Sequence, residues 1–229
     1  VVRMAKNLGV ETEIPAVPSV ALGTVDLSLY EMVGALNTFA NKGMYVKPMM
    51  ILRIEDKNGT ILEEFTPETK EVLSESIAYT TINLMEGVTR YGSGIRLRTT
   101  GGKYPDNVAT GYPYKFDNPI AGKTGTTQNQ SDGWFIGLVP NLSTGIWVGA
   151  EDRSVHFVDI TRGQGASMAL PIWALYMKRN YADEDLEISK EDFEKPENLT
   201  INVDCDQELD EDDKEKDPKK PDPNDEIDF

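Results

Sequence analysis

The sequence contains only one cysteine and one histidine in 229 residues, and this shortage excludes several kinds of site. A lone cysteine, Cys205, can form neither an internal disulfide nor a cysteine-based zinc site. The lone histidine, His156, has no Gly-x-Ser-x-Gly motif as a partner, so we interpret it as a structural or surface residue. We therefore expect no bound metal.

Long apolar runs and clusters of basic residues are also missing. No stretch of about 18 apolar residues is present, so the sequence predicts no transmembrane helix. The first residues lack the apolar core of a signal peptide and begin without Met, which we interpret as the start of a fragment. Without a cluster of lysine and arginine, we expect no binding of nucleic acid.

Acidic residues are abundant, and they are concentrated at one end of the chain. Of the formal charge of -16, residues 183–229 carry -15, with 21 acidic and 6 basic residues. From about residue 200 the chain is also rich in proline, and such a composition cannot bury enough apolar surface to fold. We therefore expect a folded domain over 1–182 and a disordered acidic tail over 183–229.

Two helices are predicted in the first half of the chain. Ser28 and Glu31 have the spacing of a capping box and precede an apolar pattern of helical period, which predicts a helix over about 29–41. Ser74 begins a second helical pattern that ends near Arg90. The side chains predicted to be buried on this second helix are Ile77, Leu84, Met85 and Val88.

The sequence also predicts five strands, over 49–55, 60–65, 120–126, 134–139 and 145–150. Asn58 and Gly59 favour a tight turn, so the first two strands should form a hairpin. Short links join the last three, which predicts an antiparallel meander. Its aromatic residues Trp134, Phe135 and Trp147 are expected in the core, and Asp132 at the start of a strand.

Two segments depart from regular patterns. Residues 99–118 are rich in glycine, proline and asparagine, and a loop of that length inside a domain is often functional. A final helix is expected over 165–179. Pro171 lies well inside it, which indicates a helix that starts later, with Pro171 in its first turn.

Gly122, Lys123 and Thr124 match the end of a phosphate-binding loop. That motif requires a glycine five positions before Gly122, where this sequence has Asp117. It also requires a helix directly after the lysine and threonine, whereas the next regular element predicted here is a strand. Both conditions fail, so we set nucleotide binding aside.

The other interpretation of 123–125 is the Lys-Thr-Gly element of penicillin-reactive serine enzymes. A lysine ammonium creates positive potential where a substrate carboxylate binds, and threonine hydroxyls donate hydrogen bonds to it. The glycine removes a side chain so that substrate can lie against the strand edge. A backbone amide just beyond the glycine can face the developing oxyanion.

Several segments together resemble the C-terminal half of the transpeptidase domain of class A (bifunctional) penicillin-binding proteins. The resemblance covers about residues 1–180 and rests on Pro-Ser-Val-Ala-Leu-Gly at 18–23, Phe-Ala-Asn-Lys-Gly at 39–43, Ala-Gly-Lys-Thr-Gly-Thr-Thr at 121–127 and Asp-Gly-Trp-Phe at 132–135. It implies part of a penicillin-binding/serine β-lactamase-like α/β (α+β) domain, in which helices pack on an antiparallel sheet. It implies no cofactor.

The chemistry that the resemblance implies is acyl transfer on peptidoglycan stem peptides. In the family, a serine in a Ser-x-x-Lys motif attacks the D-Ala-D-Ala bond, an amine of a neighbouring stem resolves the acyl-enzyme, and a Ser-x-Asn motif completes the site. None of the ten serines here has lysine three positions on or asparagine two positions on. We therefore expect a D,D-transpeptidase half-domain whose nucleophile lies upstream and which is inactive by itself.

The resemblance assigns roles only to residues that match the family motif. Lys123 would be the electrostatic anchor, and the backbone amide of Thr126 would be one half of the oxyanion hole, so we assign these two to catalysis. The substrate-binding residues would be Thr124, Gly125, Thr126 and Thr127. Gln128 would border the cleft, and 91–118 would form a nearby wall.

The implied partners are stem peptides, β-lactams and the upstream remainder of the same protein, including a glycosyltransferase domain. The implied location is the outer side of the bacterial cytoplasmic membrane, with an anchor outside this chain. Two alternatives stay open. One is a non-catalytic binding or regulatory module of the same fold, and the other is a D,D-carboxypeptidase, in which water replaces the amine acceptor.

Overall fold

The computed structural model describes residues 1–99 and 113–203. The chain divides into two units, Val1–Asn198 and Leu199–Phe229, of which the second is described only to residue 203. Most of the loop predicted over 99–118, and the tail from residue 204, lie outside the described residues. In the described ranges, no helix combines the length and apolar character needed to cross a membrane.

Five α-helices and four short 3-10 turns lie within the described residues. The helices are α1 Val2–Asn7, α2 Leu29–Ala40, α3 Glu75–Arg90, α4 Ile160–Gly163 and α5 Gly165–Asn180. The 3-10 turns are Pro18–Leu22, Ile95–Arg98, Gln128–Gln130 and Glu184–Leu186. The predictions of α2 and α3 are therefore confirmed.

The strands form three antiparallel sheets in the described part of the chain. They are β1 Met44–Val46, β2 Arg53–Glu55, β3 Ile61–Glu64, β4 Thr69–Glu71, β5 Ala121–Thr126, β6 Asp132–Val139 and β7 Leu142–Gly149. The sheets pair β1 with β4, β2 with β3, and β5-β6-β7 in that order. The predicted hairpin and the predicted meander are both confirmed.

Helices cover both faces of the β5-β6-β7 sheet. Successive side chains of a strand point to opposite faces, so neighbouring residues of β6 pack against different helices. On one face Phe135 packs edge-on against Trp173 of α5, with ring centroids 5.2 Å apart. On the other face Ile136 packs in a cluster with Ile82 of α3 and apolar residues of α2. This layering confirms the expected α/β (α+β) arrangement, in which helices pack on an antiparallel sheet.

Helix α2 begins at the predicted capping box. The Ser28 hydroxyl accepts a hydrogen bond from the Glu31 backbone N–H at 3.2 Å, and the Glu31 carboxylate accepts one from the Ser28 N–H at 3.0 Å. The same carboxylate accepts from the Thr12 N–H at 2.8 Å. The hydrogen bond from the Thr12 backbone makes the largest contribution to lowering the pKa of Glu31, and the bonds from Ser28 come next. Together they lower this pKa to about 2.

We expect this lowered pKa to make the capping box sensitive to acid. The folded chain holds Glu31 at a pKa of about 2, below the ordinary 4.5, so its stabilisation is complete above about pH 4.5 and is lost as pH falls through 2. The melting temperature of the wild-type chain should exceed that of Glu31→Gln near neutral pH. The difference should shrink below pH 4.5, and a constant difference would contradict the assignment.

Three expectations about burial and helix start were wrong. The buried residues of α3 are Ala78, Ile82, Met85, Glu86 and Thr89. Ile77 and Leu84, predicted to be buried, are 52% and 70% exposed because they lie beside those residues on the helix. Trp147 is 42% exposed because β7 is an outer strand of its sheet.

Helix α5 begins at Gly165 and contains Pro171 in its interior, where packing of the buried Leu170 and Trp173 keeps the helix continuous.

The segment after α5 packs against the domain. Phe193 is buried beside Ile82 and Met85. The Asn141 side chain donates to the Glu187 carbonyl at 2.8 Å and accepts from the Ser189 N–H at 2.9 Å. The boundary predicted at residue 182 therefore falls inside the compact unit, because a few apolar and hydrogen-bonded contacts outweigh the acidic composition of 183–198.

Candidate active site

Strand β5 carries the Lys-Thr-Gly element at the edge of its sheet. In the part of the chain that the structure describes, β5 pairs with β6 on one side only. Lys123 lies opposite Ile136, on the face covered by α2 and α3. Thr124 and Thr126 lie opposite Phe135 and Gly133, on the face covered by α5.

The Lys123 side chain is exposed, and its ammonium group lies close to its own strand. Its Nζ atom donates a hydrogen bond to the Thr124 carbonyl oxygen at 2.8 Å. This contact keeps a positive charge next to the strand edge. The charge is therefore available to an anion that binds along β5.

The two threonine hydroxyls are held by groups from two other elements. The Ser93 and Thr124 hydroxyl oxygens lie 2.6 Å apart, in a hydrogen bond that either atom can donate. The Gly165 N–H, at the first residue of α5, donates to Thr126 Oγ1 at 3.0 Å. Since Thr126 Oγ1 accepts this bond, its own proton is free to be donated to a ligand.

The start of α5 approaches the β5-β6 pair so closely that only glycine fits at residue 165. A Cβ atom there would lie 2.3 Å from the Gly125 carbonyl oxygen and 2.5 Å from the Trp134 carbonyl oxygen. Across the same contact, a Cβ on Gly133 would lie 2.5 Å from the Met168 methyl group. These glycines bring the helix amide within reach of Thr126.

The turn after β5 occupies the hydroxyl of Thr127. Thr127 Oγ1 accepts from the Asp132 N–H at 3.1 Å and lies 2.9 Å from the Ser131 hydroxyl oxygen. The Thr127 N–H donates to the Asp132 carbonyl at 3.2 Å, which closes the turn. Asn129 and Gln130 have φ of 59° and 54°, left-handed values that are uncommon for residues other than glycine. Gln128 begins this 3-10 turn at the end of β5.

Two other residues singled out in the sequence lie near this turn. Asp132 begins β6 as expected and is buried, and its Oδ1 atom has no hydrogen-bond partner in the described ranges. His156 is exposed, with Nδ1 2.9 Å from the Phe157 carbonyl oxygen. Across residues 1–99 and 113–203, no group of three histidine, cysteine or acidic side chains is placed to hold a metal.

Sequence reasoning missed Ser93 and Gly165 as parts of this site. Ser93 falls within 91–118, which the resemblance predicts as a nearby wall, but no role is assigned to it there, and Gly165 is predicted only as the start of the last helix. A serine between two glycines is a signal for a tight turn. Nothing in the local pattern indicated that this turn would contact β5.

Comparison with known proteins places this geometry in a family. A model of the penicillin-binding protein transpeptidase domain matches residues 14–151, more than half of the chain. The chain belongs to the penicillin-binding protein transpeptidase family. This result confirms the resemblance found in the sequence.

Curated relatives of this transpeptidase-family chain include several penicillin-binding proteins. Penicillin-binding protein 1A of Aquifex aeolicus (strain VF5) is 34% identical over 206 residues, which cover 89% of this chain and 25% of the relative. Penicillin-binding protein 2D of Bacillus subtilis (strain 168) is 33% identical over 177 residues, which cover 77% of this chain and 24% of the relative. The chain therefore spans about a quarter of the length of these relatives.

Solved structures of penicillin-binding proteins share the fold of this chain. Penicillin-binding protein 1A from Haemophilus influenzae gives a TM-score of 0.65 at 23% identity, over 84% of this chain and 31% of that one. The PonA1 protein from Mycobacterium tuberculosis, solved in complex with penicillin V, gives 0.62 at 24% identity, over 84% of this chain and 51% of that one. Both comparisons support the layered sheet described above.

Proposed function

We propose that this chain supplies the carboxylate-binding wall of a peptidoglycan D,D-transpeptidase. The observation that carries the proposal is that the held hydroxyls of Thr124 and Thr126 lie on one face of β5 while the Lys123 ammonium, from the other face, reaches the Thr124 carbonyl. These groups lie beside an edge of β5 that no other strand pairs within the described residues. An ammonium group and two hydroxyl donors suit one carboxylate. An unpaired edge suits an extended peptide, which can add to the sheet as a strand.

The ligand that fits this wall is the D-Ala-D-Ala end of a stem peptide, whose terminal carboxylate would lie against Thr124 and Thr126. Gly125 has no side chain to block the peptide, and the Thr126 amide would donate to the carbonyl oxygen as negative charge develops there. A serine hydroxyl would attack the carbonyl of the penultimate D-Ala, so that an ester bond forms, the D-Ala–D-Ala peptide bond breaks, and the terminal D-Ala leaves with the serine proton. The amine of a second stem would then attack the ester, forming the cross-linking amide bond and releasing the serine with a proton from the amine.

The nucleophile of that reaction would come from the rest of the full-length protein. No serine here begins a Ser-x-x-Lys or a Ser-x-Asn sequence. We propose that these motifs, a membrane anchor and a glycosyltransferase domain belong to the remainder of the protein, and that the site faces the outside of the cytoplasmic membrane. We also propose that the acidic end of the chain lies outside the transpeptidase domain.

Labelling with fluorescent penicillin tests this proposal. The full-length protein should form a covalent adduct that denaturation before labelling abolishes, because the serine attacks the β-lactam only in the folded site. The chain of 229 residues alone should form no adduct. An adduct on the isolated chain, lost on denaturation, would show that the nucleophile lies within it. An unlabelled full-length protein would exclude the transpeptidase assignment.

A further inference from the structure

Ser93 lies in the turn that follows α3 and is held there by glycine on each side. The Gly92 N–H donates to the Gly87 carbonyl at 3.1 Å, and the Gly94 N–H donates to the Val88 carbonyl at 2.9 Å. A Cβ on Gly92 would lie 3.0 Å from the Val88 Cα atom. The turn therefore folds tightly onto the last turn of α3, which fixes the backbone of Ser93.

This turn is also fixed relative to β5 by contacts on both sides of Ser93 in the chain. Before it, the Thr89 hydroxyl donates to the Ile120 carbonyl, directly before β5, at 2.6 Å. After it, the Arg98 guanidinium donates to the Phe116 carbonyl at 2.9 Å and to Thr89 Oγ1 at 2.9 Å. These contacts fix the segment that carries Ser93 relative to β5, although the Ser93 side chain itself is exposed.

The contact between Ser93 and Thr124 determines where the single proton of the Thr124 hydroxyl points. A hydroxyl has one proton to donate and two lone pairs to accept with. If Thr124 donated to Ser93, it would have no proton left for a ligand carboxylate. If Ser93 donates across the 2.6 Å contact, the Thr124 proton is free, and the two bonds in series strengthen one another.

We propose that Ser93 is a positioning residue for the carboxylate site: it donates to Thr124 Oγ1 and so directs the Thr124 proton towards the ligand carboxylate. The inference rests on the proposed function, because it needs a carboxylate at Thr124. The Gly165 N–H donates to Thr126 Oγ1 in the same way. Because a backbone N–H can only donate, this bond leaves the Thr126 proton for the ligand. The two hydroxyls on one face of β5 would then both be donors towards one anion.

The test compares acylation of the full-length protein by benzylpenicillin, which carries a carboxylate, and by its methyl ester, which lacks the charge. Ser93→Ala should slow the second-order rate of acylation by benzylpenicillin by about three- to tenfold, the size of one ordinary hydrogen bond. The rate with the ester should change by less than about twofold. Ser93→Thr, which keeps the hydroxyl, should restore the benzylpenicillin rate.

Ser19→Ala is the matched control, since Ser19 also shares an exposed hydroxyl–hydroxyl contact, with Thr24 at 3.3 Å, in the 3-10 turn Pro18–Leu22. It should leave both rates unchanged. Equal slowing of both substrates by Ser93→Ala would overturn the inference in favour of a purely structural role, as would a loss in Ser93→Thr as large as in Ser93→Ala. A wild-type protein that reacts with neither substrate would instead refute the proposed function itself.

Discussion

Lys123→Ala in the full-length protein is expected to slow acylation by penicillin by about 100- to 1000-fold, the usual effect of removing one preorganised electrostatic group from an active site. The ammonium group lies at the strand edge and donates to the Thr124 carbonyl, so its removal takes away the positive potential that would attract the carboxylate. Second-order acylation rates measured from the growth of the labelled band would give the ratio.

Folding should hardly change in this variant, because the Lys123 side chain is exposed. Lys57→Ala is the control, since Lys57 is an exposed lysine in the turn between β2 and β3. It removes the same charge without touching β5, and its acylation rate should equal that of the wild type. Equal rates for Lys123→Ala and the wild type would refute the role assigned to Lys123.

Trp173→Ala should lower the free energy of unfolding by about 3–5 kcal/mol, the range for truncation of a large buried aromatic side chain. Trp173 has no exposed surface, contacts Phe135 and Phe116 edge-on, and donates from Nε1 to the Thr144 hydroxyl at 2.5 Å. Truncation would leave both a cavity under the sheet and an unpaired hydroxyl. Urea denaturation followed by circular dichroism would measure the change.

The neighbouring residue provides the control for this substitution. Ile172 lies next to Trp173 on α5, and its side chain is 47% exposed. Ile172→Ala should change the free energy of unfolding by no more than about 0.5 kcal/mol. A loss as large for Ile172→Ala as for Trp173→Ala would mean that the helix as a whole, rather than the buried ring, determines the stability.

Local signals were sufficient to predict much of the fold. The capping box of Ser28 and Glu31 located α2, and Asn58-Gly59 located the hairpin, because both motifs act within four residues. The short links between β5, β6 and β7 predicted that these three strands pair in chain order as an antiparallel meander. The Lys-Thr-Gly segment falls on the first strand predicted for this meander, and the structure confirms that strand as β5.

The features that local patterns missed depend on packing between distant parts of the chain. Ile77 and Leu84 have the apolar character of buried residues, but the position of α3 on the sheet places Ala78 and Ile82 inward instead. Pro171 is a helix breaker in isolation, yet tertiary contacts keep it within α5. Ser93 meets Thr124 across 31 positions, and no short motif encodes such a contact.

Among the residues that the structure describes, β5 pairs on one side only, and this pairing affects the behaviour of the chain in solution. An unpaired strand edge is a template on which a second chain can add, and natural proteins guard such edges with charged residues, lysine above all. Lys123 stands on this edge, with Gly125 and its bare backbone two residues beyond. The side chain proposed to attract a carboxylate therefore also protects against self-association, and the isolated Lys123→Ala chain should aggregate at lower concentrations than the isolated wild-type chain in light scattering.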